Sequence, residues 1–201
     1  MLALPHRIIV AWLLPSLVFP LIEFLIAMTK AVLAVKLPLG ACVLTASEAG
    51  LTGVALRTAA ASGSPTRSRE AQEPTVAGTA GALLAEARRQ LEAYFAGELR
   101  RFDLPLDLSG RTEFQRRVLQ ACGEVPYGET VSYGELARRS GHPGAARAVG
   151  QVMATNPLAL VVPCHRVVGS NGQLTGYGYG LACKAHLLDM ERQGKGWAGV
   201  V

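Results

Sequence analysis

The chain has 201 residues, half of them apolar, enough to bury a core in one domain or two small ones. A net charge of +5 and an isoelectric point near 9.3 suit a polyanionic partner, with arginines spread through residues 88–147 rather than blocked into a tail. Cys42, Cys122, Cys164 and Cys183 are too sparse and irregular for a disulfide scaffold, so free thiols in a reducing, cytoplasmic compartment are expected.

Residues 8–28 form an apolar run interrupted by Pro15, Ser16, Pro20 and Glu23. The length suits a bilayer span, yet the prolines would break a helix and Glu23 penalises insertion. Met28 directly precedes the first strand-like run, so residues 1–27 read as a dispensable apolar extension or misassigned start. A membrane anchor is the main alternative, and a signal peptide or core element ranks behind it. Residues 31–36, 39–46 and 51–57 are β-compatible runs separated by turn signals at Pro38, Gly40 and at Glu48, Ala49, Gly50, and they predict a small antiparallel meander. Residues 58–78 lack apolar periodicity and read as a mobile loop. Leu83, Leu84, Ala87, Leu91, Tyr94 and Phe95 then recur at helical spacing opposite Glu86, Arg88, Arg89 and Glu92, which predicts one amphipathic helix covering the meander. Residues 28–103 are thus expected to form an α+β N-terminal domain. Residues 104–109, with Pro105, lead into a second domain that runs to residue 201.

That second domain is predicted to be mainly helical, giving an α+β fold overall. Thr112 with Gln115, and Ser132 with Glu135, each have the spacing of a capping box ahead of an apolar stripe. Gly141 and Gly144 then break the chain before a helix over residues 145–155. The order helix, tight turn, helix is that of a winged helix-turn-helix. The second helix carries Ala145, Ala146, Ala148, Gly150 and Ala154, small enough to lie against a groove wall, although a tightly packed buried helix would look the same.

Pro163-Cys164-His165-Arg166-Val167 follows the apolar run 158–162, where a buried strand is expected to end. A cysteine there becomes a nucleophile if something removes its proton. Neighbours in extended chain point to opposite sides, so His165 would reach the sulfur only through a bridging water. Glu191 stands four and three residues after Leu187 and Leu188, on the apolar face of the last predicted helix, where a carboxylate needs a partner such as the His165 ring. Its alternative is a surface glutamate near a frayed end, and Asp189 faces elsewhere. Cys183 and His186 match no zinc spacing closely, so no metal is assigned.

Five further blocks accompany the pentapeptide: Pro126-Tyr127-Gly128-Glu129-Thr130-Val131-Ser132-Tyr133-Gly134-Glu135-Leu136-Ala137, Ala145-Ala146-Arg147-Ala148-Val149-Gly150, Asn156-Pro157, Thr175-Gly176-Tyr177 and Leu187-Leu188-Asp189-Met190-Glu191. In this order they resemble the O6-alkylguanine-DNA alkyltransferases over residues 109–194, and more loosely back to residue 31. The resemblance implies a monomer that takes a methyl or small alkyl group from guanine O6 in double-stranded DNA, with thymine O4 as a further candidate. The group passes irreversibly to Cys164, with no cofactor. It implies a relay of Cys164, water, His165 and Glu191, proton donation to the leaving base by Tyr133, and a turn held by Asn156. Arg147 would fill the gap left by the extruded nucleotide, with Ala145, Ala146 and Gly150 against DNA. Main-chain groups of Cys164 and Val167, with Met153, Tyr177 and the Gly178 amide, would line the base pocket. Two residues depart from the family pattern: Ala154 replaces a cation of several relatives, and Tyr179 stands where many have glycine and is expected to narrow the pocket. A lesion sensor of the alkyltransferase-like type is the nearest rival, but such proteins lack the nucleophile. A membrane-tethered thiol enzyme is the third reading.

Overall fold

The computed structural model describes residues 31–57 and 78–197. The apolar extension and nearly all of the predicted mobile loop lie outside the described residues. Strands β1 (Ala31–Leu37), β2 (Gly40–Ser47) and β3 (Gly50–Arg57) form an antiparallel sheet in the order β1-β2-β3. Alternation places Ala31, Leu33, Val35 and Leu37 of β1, and Cys42, Leu44 and Ala46 of β2, on one buried face. In β3 the alternation skips: Thr45 pairs with Gly53 but Ala46 pairs with Leu51, so Thr52 is an extra residue. Such a bulge lets Leu51 and Val54, three apart, both point inward. Helix α1 (Thr79–Ala96) lays Leu84, Ala87, Leu91, Tyr94 and Phe95 on that face, the stripe predicted from spacing.

The outer edge of β3 is occupied by two segments from later in the chain. The Leu51 amide donates to the Pro105 carbonyl at 2.8 Å and the Leu51 carbonyl accepts from Asp107 at 3.0 Å, while the Ser47 hydroxyl reaches Asp107 at 2.6 Å. A Cβ on Gly50 would lie 2.8 Å from the Pro105 oxygen, so only glycine permits this approach. Further along, the Val54 amide donates to Pro157 at 2.7 Å. The run 158–162 is therefore not the continuous strand expected. It makes isolated bridges from Leu158 to Val54 and from Ala159 to Val162, and it turns at the buried Leu160, whose φ of 70° is left-handed.

Beyond the connection, α2 (Glu113–Gly123) begins with the predicted reciprocal box, Gln115 N to the Thr112 hydroxyl at 3.3 Å and Thr112 N to the Gln115 side chain at 3.1 Å. Helix α3 (Tyr133–Arg139) is capped by Ser132, but the return bond is missing. Glu135 turns instead to Arg138 and Arg139 at 2.7 and 2.9 Å, because two guanidinium groups one turn ahead outcompete a single backbone amide. Gly141 and Gly144, with φ of 81° and 87°, form the turn into α4 (Ala146–Ala154). Strands β4 (Val131–Ser132) and β5 (Val167–Val168) pair in parallel, and α5 (Leu181–Gln193) closes the fold. Among the described residues no helix is long and apolar enough to cross a membrane.

Thr112→Ala removes one member of a complete box and is expected to lower the unfolding free energy by about 1 kcal/mol in urea denaturation, whereas Thr112→Ser retains most of it.

Candidate active site

Cys164, His165 and Arg166 form a single 3-10 turn whose N-terminal flank is Pro163, so the cysteine lies at a turn rather than in extended chain. Asn156 holds the approach to this turn. Its amide nitrogen donates to the Val162 carbonyl at 2.9 Å and its oxygen accepts from the Leu158 amide at 3.0 Å, which makes it the brace expected of an Asn before a proline. The same side chain donates toward the Cys164 sulfur.

His165 is fully buried. Its Nε2 bonds Glu191 Oε1 at 2.9 Å, while Nδ1 has no partner among the described residues. With Nε2 donating to the carboxylate, Nδ1 is left as the proton acceptor, and among the described residues it makes no direct bond to the sulfur. Burial pushes the imidazole below its ordinary value, a trend the Glu191 bond opposes, so the resting ring is neutral. Burial would also raise the Glu191 carboxyl, but the bonds from His165 and Arg166 outweigh it and hold the group well below the usual carboxylate range. Arg166 grips Glu191 with two nitrogens, Nε to Oε2 and Nη2 to Oε1, each at 2.9 Å, and spends Nη1 on the Val125 carbonyl at 2.6 Å. The Tyr94 hydroxyl and the Gly128 amide complete the shell at 2.6 and 3.2 Å.

The thiol itself is buried, and burial raises it above the ordinary cysteine value despite the Asn156 bond, the Lys184 charge and nearby amides. It is therefore a protonated thiol at rest, and reaction requires an acceptor for its proton. Lys184 is fully buried on α5. Its ammonium donates to the Val167 carbonyl at 2.6 Å and the Thr175 carbonyl at 2.9 Å, and it favours the sulfur's anionic form by charge.

Cys164 opens into a pocket of about 280 Å³ lined by Tyr133, Gly150, Met153, Ala154, Gly176, Tyr177 and Gly178. Tyr133 heads α3, and its hydroxyl accepts from Thr175 at 3.3 Å. Gly150 of α4 faces the Tyr133 ring, and a Cβ there would meet it at 3.9 Å, an ordinary van der Waals contact. Arg147 is exposed on α4 beside the pocket-lining residues, and Ala145 and Ala146 are half-buried at the start of that helix.

Two pocket assignments change. Val167, expected to offer main-chain groups, is fully buried, its carbonyl accepts from Lys184, and the residue is not among the pocket lining. Tyr179 stands behind the wall: its ring meets Tyr177 edge-on at 5.5 Å and its hydroxyl meets the Leu56 backbone. That backbone partner lies on β3, and Tyr179 is not among the pocket-lining residues. Cys183 and His186 are packing residues, the imidazole bonding the Ala182 carbonyl at 2.8 Å and lying 5.9 Å from Trp197, and among the described residues no cluster could hold a metal.

Arg166, Lys184, Tyr94, Gly128 and Thr175 were not anticipated as site residues. Two of them carry a legible signal: Arg166 and Lys184 are charges at positions where the surrounding spacing calls for burial, and a buried cation must be paired. Tyr94 is indistinguishable in sequence from a core aromatic.

The family described as 6-O-methylguanine DNA methyltransferase, DNA binding domain, matches residues 113–193, and its ribonuclease-like domain matches residues 30–108. The methylated-DNA–protein-cysteine methyltransferase of Mycobacterium leprae is 61% identical over 108 residues, 54% of this chain and 65% of that protein, so the aligned stretch spans somewhat under two thirds of that relative. The like-named protein of Methanosarcina acetivorans is 58% identical over 106 residues, 53% of this chain and 67% of its own. The crystal structure of Mycobacterium tuberculosis OGT in complex with DNA superposes with a TM-score of 0.67 at 42% identity, covering 81% of this chain and 93% of that one. The chain belongs to the O6-methylguanine-DNA methyltransferase family.

Proposed function

We propose that this protein repairs DNA once per molecule, moving a methyl or small alkyl group from guanine O6 in double-stranded DNA irreversibly onto Cys164. The observation that carries the reading is that the thiol opens into the same pocket that Tyr133 of α3 and Gly150 of α4 wall, so nucleophile and helix-turn-helix address one substrate. The division into an N-terminal domain over residues 28–103 and a DNA-binding alkyltransferase domain over residues 104–201 belongs to this reading, as does a cytoplasmic location, which the four free thiols favour.

In the stacked duplex the alkylated oxygen is out of reach, so the nucleotide must leave the stack and enter the pocket. Arg147, exposed on α4 with no ion pair among the described residues, fills the vacated position in this reading, with Ala145, Ala146 and Gly150 allowing α4 a close approach to the groove. As the sulfur attacks the alkyl carbon, its proton passes through a water to His165 Nδ1, and Glu191 stabilises the imidazolium that forms. The bond from the alkyl carbon to O6 breaks and its electron pair stays with guanine, to which Tyr133 gives a proton. The imidazolium then releases its proton to solvent and the tyrosinate regains one, so the net products are a thioether and guanine with both side chains restored. No oxyanion hole is needed, since the attacked carbon is tetrahedral. The thioether does not hydrolyse, which makes the step irreversible.

Incubation with O6-methylguanine DNA is expected to add one methyl group at Cys164, read by peptide mass mapping. A methyl group mapped to Cys42, Cys122 or Cys183 refutes the assignment. Cys164→Ala should abolish transfer while retaining DNA binding in a mobility-shift assay, because α4 is untouched.

Arg147→Ala is expected to slow repair of duplex DNA by roughly tenfold or more while leaving reaction with free O6-methylguanine base nearly unchanged, since only the duplex requires unstacking. Tyr133→Phe should slow both substrates. Rate constants measured on the two substrates side by side distinguish the roles, and equal losses for Arg147→Ala would rule out its part in extrusion.

A further inference from the structure

Tyr94 stands on α1, in the N-terminal half, and the proposed chemistry makes no use of it. Its ring is fully buried, edge-on to Phe95 and Tyr127 with centroids 5.2 and 6.1 Å away and tilted against Phe102 at 5.4 Å. Phenylalanine would pack there equally well, and a buried hydroxyl is costly without a partner. The partner is Glu191 Oε1 at 2.6 Å, a shorter contact than those from His165 Nε2 and Arg166 Nη2 to the same oxygen, both 2.9 Å.

Oε1 thus carries three donors and Oε2 two, on a carboxylate with about four lone-pair sites. Donors crowded on one anion compete for its charge. The hydroxyl therefore withdraws from His165 part of the negative charge that would stabilise an imidazolium, and it fixes the oxygen that the imidazole meets.

We propose that Tyr94 is a positioning residue of the proton relay, supplied by the N-terminal half of the chain: by holding Glu191 Oε1 on His165 Nε2 it keeps Nδ1 as the accepting nitrogen and sets the basicity of the ring. This rests on the reading of Cys164 as a nucleophile whose proton leaves through His165. The other groups that act on the ring are Arg166 from the 3-10 turn and Lys184 and Glu191 from α5, with Cys164 next to His165 in the same turn. Tyr127, between the Arg100 and Arg166 guanidiniums, and Cys122 of α2 lie one layer further out. All of them are unchanged by Tyr94→Phe. Without the hydroxyl more of the Glu191 charge falls on His165, its protonated form is favoured, and the ring becomes an acceptor only at higher pH.

The test uses the full chain. The pH dependence of Cys164 carbamidomethylation by iodoacetamide is measured together with that of alkyl transfer from free O6-methylguanine and from duplex DNA. Tyr94→Phe is expected to move the rising acid limb to higher pH, lowering all three rates by up to about tenfold on that limb and far less on the plateau above it. Replacing Tyr94 by fluorotyrosine, a stronger donor of the same shape, should move the limb the opposite way, and this variant carries the test should Tyr94→Phe fail to fold. Phe95→Leu, which disturbs the same aromatic cluster, should lower thermal stability and leave the limb in place. A profile for the Tyr94 variants that superimposes on that of the unaltered protein overturns the proposal, as does a matching shift from Phe95→Leu. If the iodoacetamide profile shifts but the unaltered protein transfers no alkyl group, the functional reading fails and the role of Tyr94 stands.

Discussion

One buried negative charge organises this molecule. Glu191 is only 3% exposed, and a carboxylate in that position stays ionised only if surrounding donors replace the water it has lost. Five donors do so, drawn from α1, from the chain before β4 and from the 3-10 turn. Because the charge sits at their intersection, the last helix, the N-terminal helix and the cysteine turn cannot shift independently. Removing any one partner leaves the others facing an under-satisfied anion, a more severe loss than that of one surface hydrogen bond.

The reactive turn is held on its other side by neutral groups. Asn156 bridges Leu158 to Val162, and Leu160 accepts a left-handed backbone within that bridge, fully buried. Such a conformation in a branched residue costs on the order of 1–3 kcal/mol, and it persists because packing and the Asn156 bonds leave no alternative. The division of labour is clear: strong charge-assisted bonds orient the imidazole, while backbone geometry delivers the sulfur to the pocket. Lys184 ties the carbonyl of Val167, next to the cysteine turn, to that of Thr175, next to the pocket-lining Gly176, so the two segments are joined through one ammonium.

Most of the architecture was legible in the chain. The three strands fall within two residues of their expected limits, the α1 stripe is the one read from spacing, and both N-caps were visible as Thr-x-x-Gln and Ser-x-x-Glu. The pairing of Glu191 with His165 was also legible, because a carboxylate at an apolar position must have a partner. What could not be read was tertiary. The run 158–162 has strand composition, yet Leu160 turns it, and the bonds that compensate come from β3 and Asn156, far away in sequence. Tyr179 was expected at the pocket from the family pattern, standing where many relatives have glycine, and it is not among the lining residues. Its hydroxyl found a backbone partner on the sheet instead, which no local pattern announces. Tyr94 escaped notice for the converse reason, since a tyrosine within an apolar stripe gives no sign of whether its hydroxyl is structural or shared with a distant charge.

The filled edge of β3 has a consequence for how order in the reactive turn is reported. Sheets usually leave an outer strand open to stray pairing, but here the Leu51 and Val54 amides are claimed by Pro105 and Pro157. Pro157 lies next to Asn156, so the Val54 amide is shielded from solvent exchange only while the segment leading to the cysteine stays docked. A single backbone proton in the N-terminal sheet is thereby a sentinel for the integrity of chemistry more than a hundred residues later in the chain, and local opening of one region must register in the other.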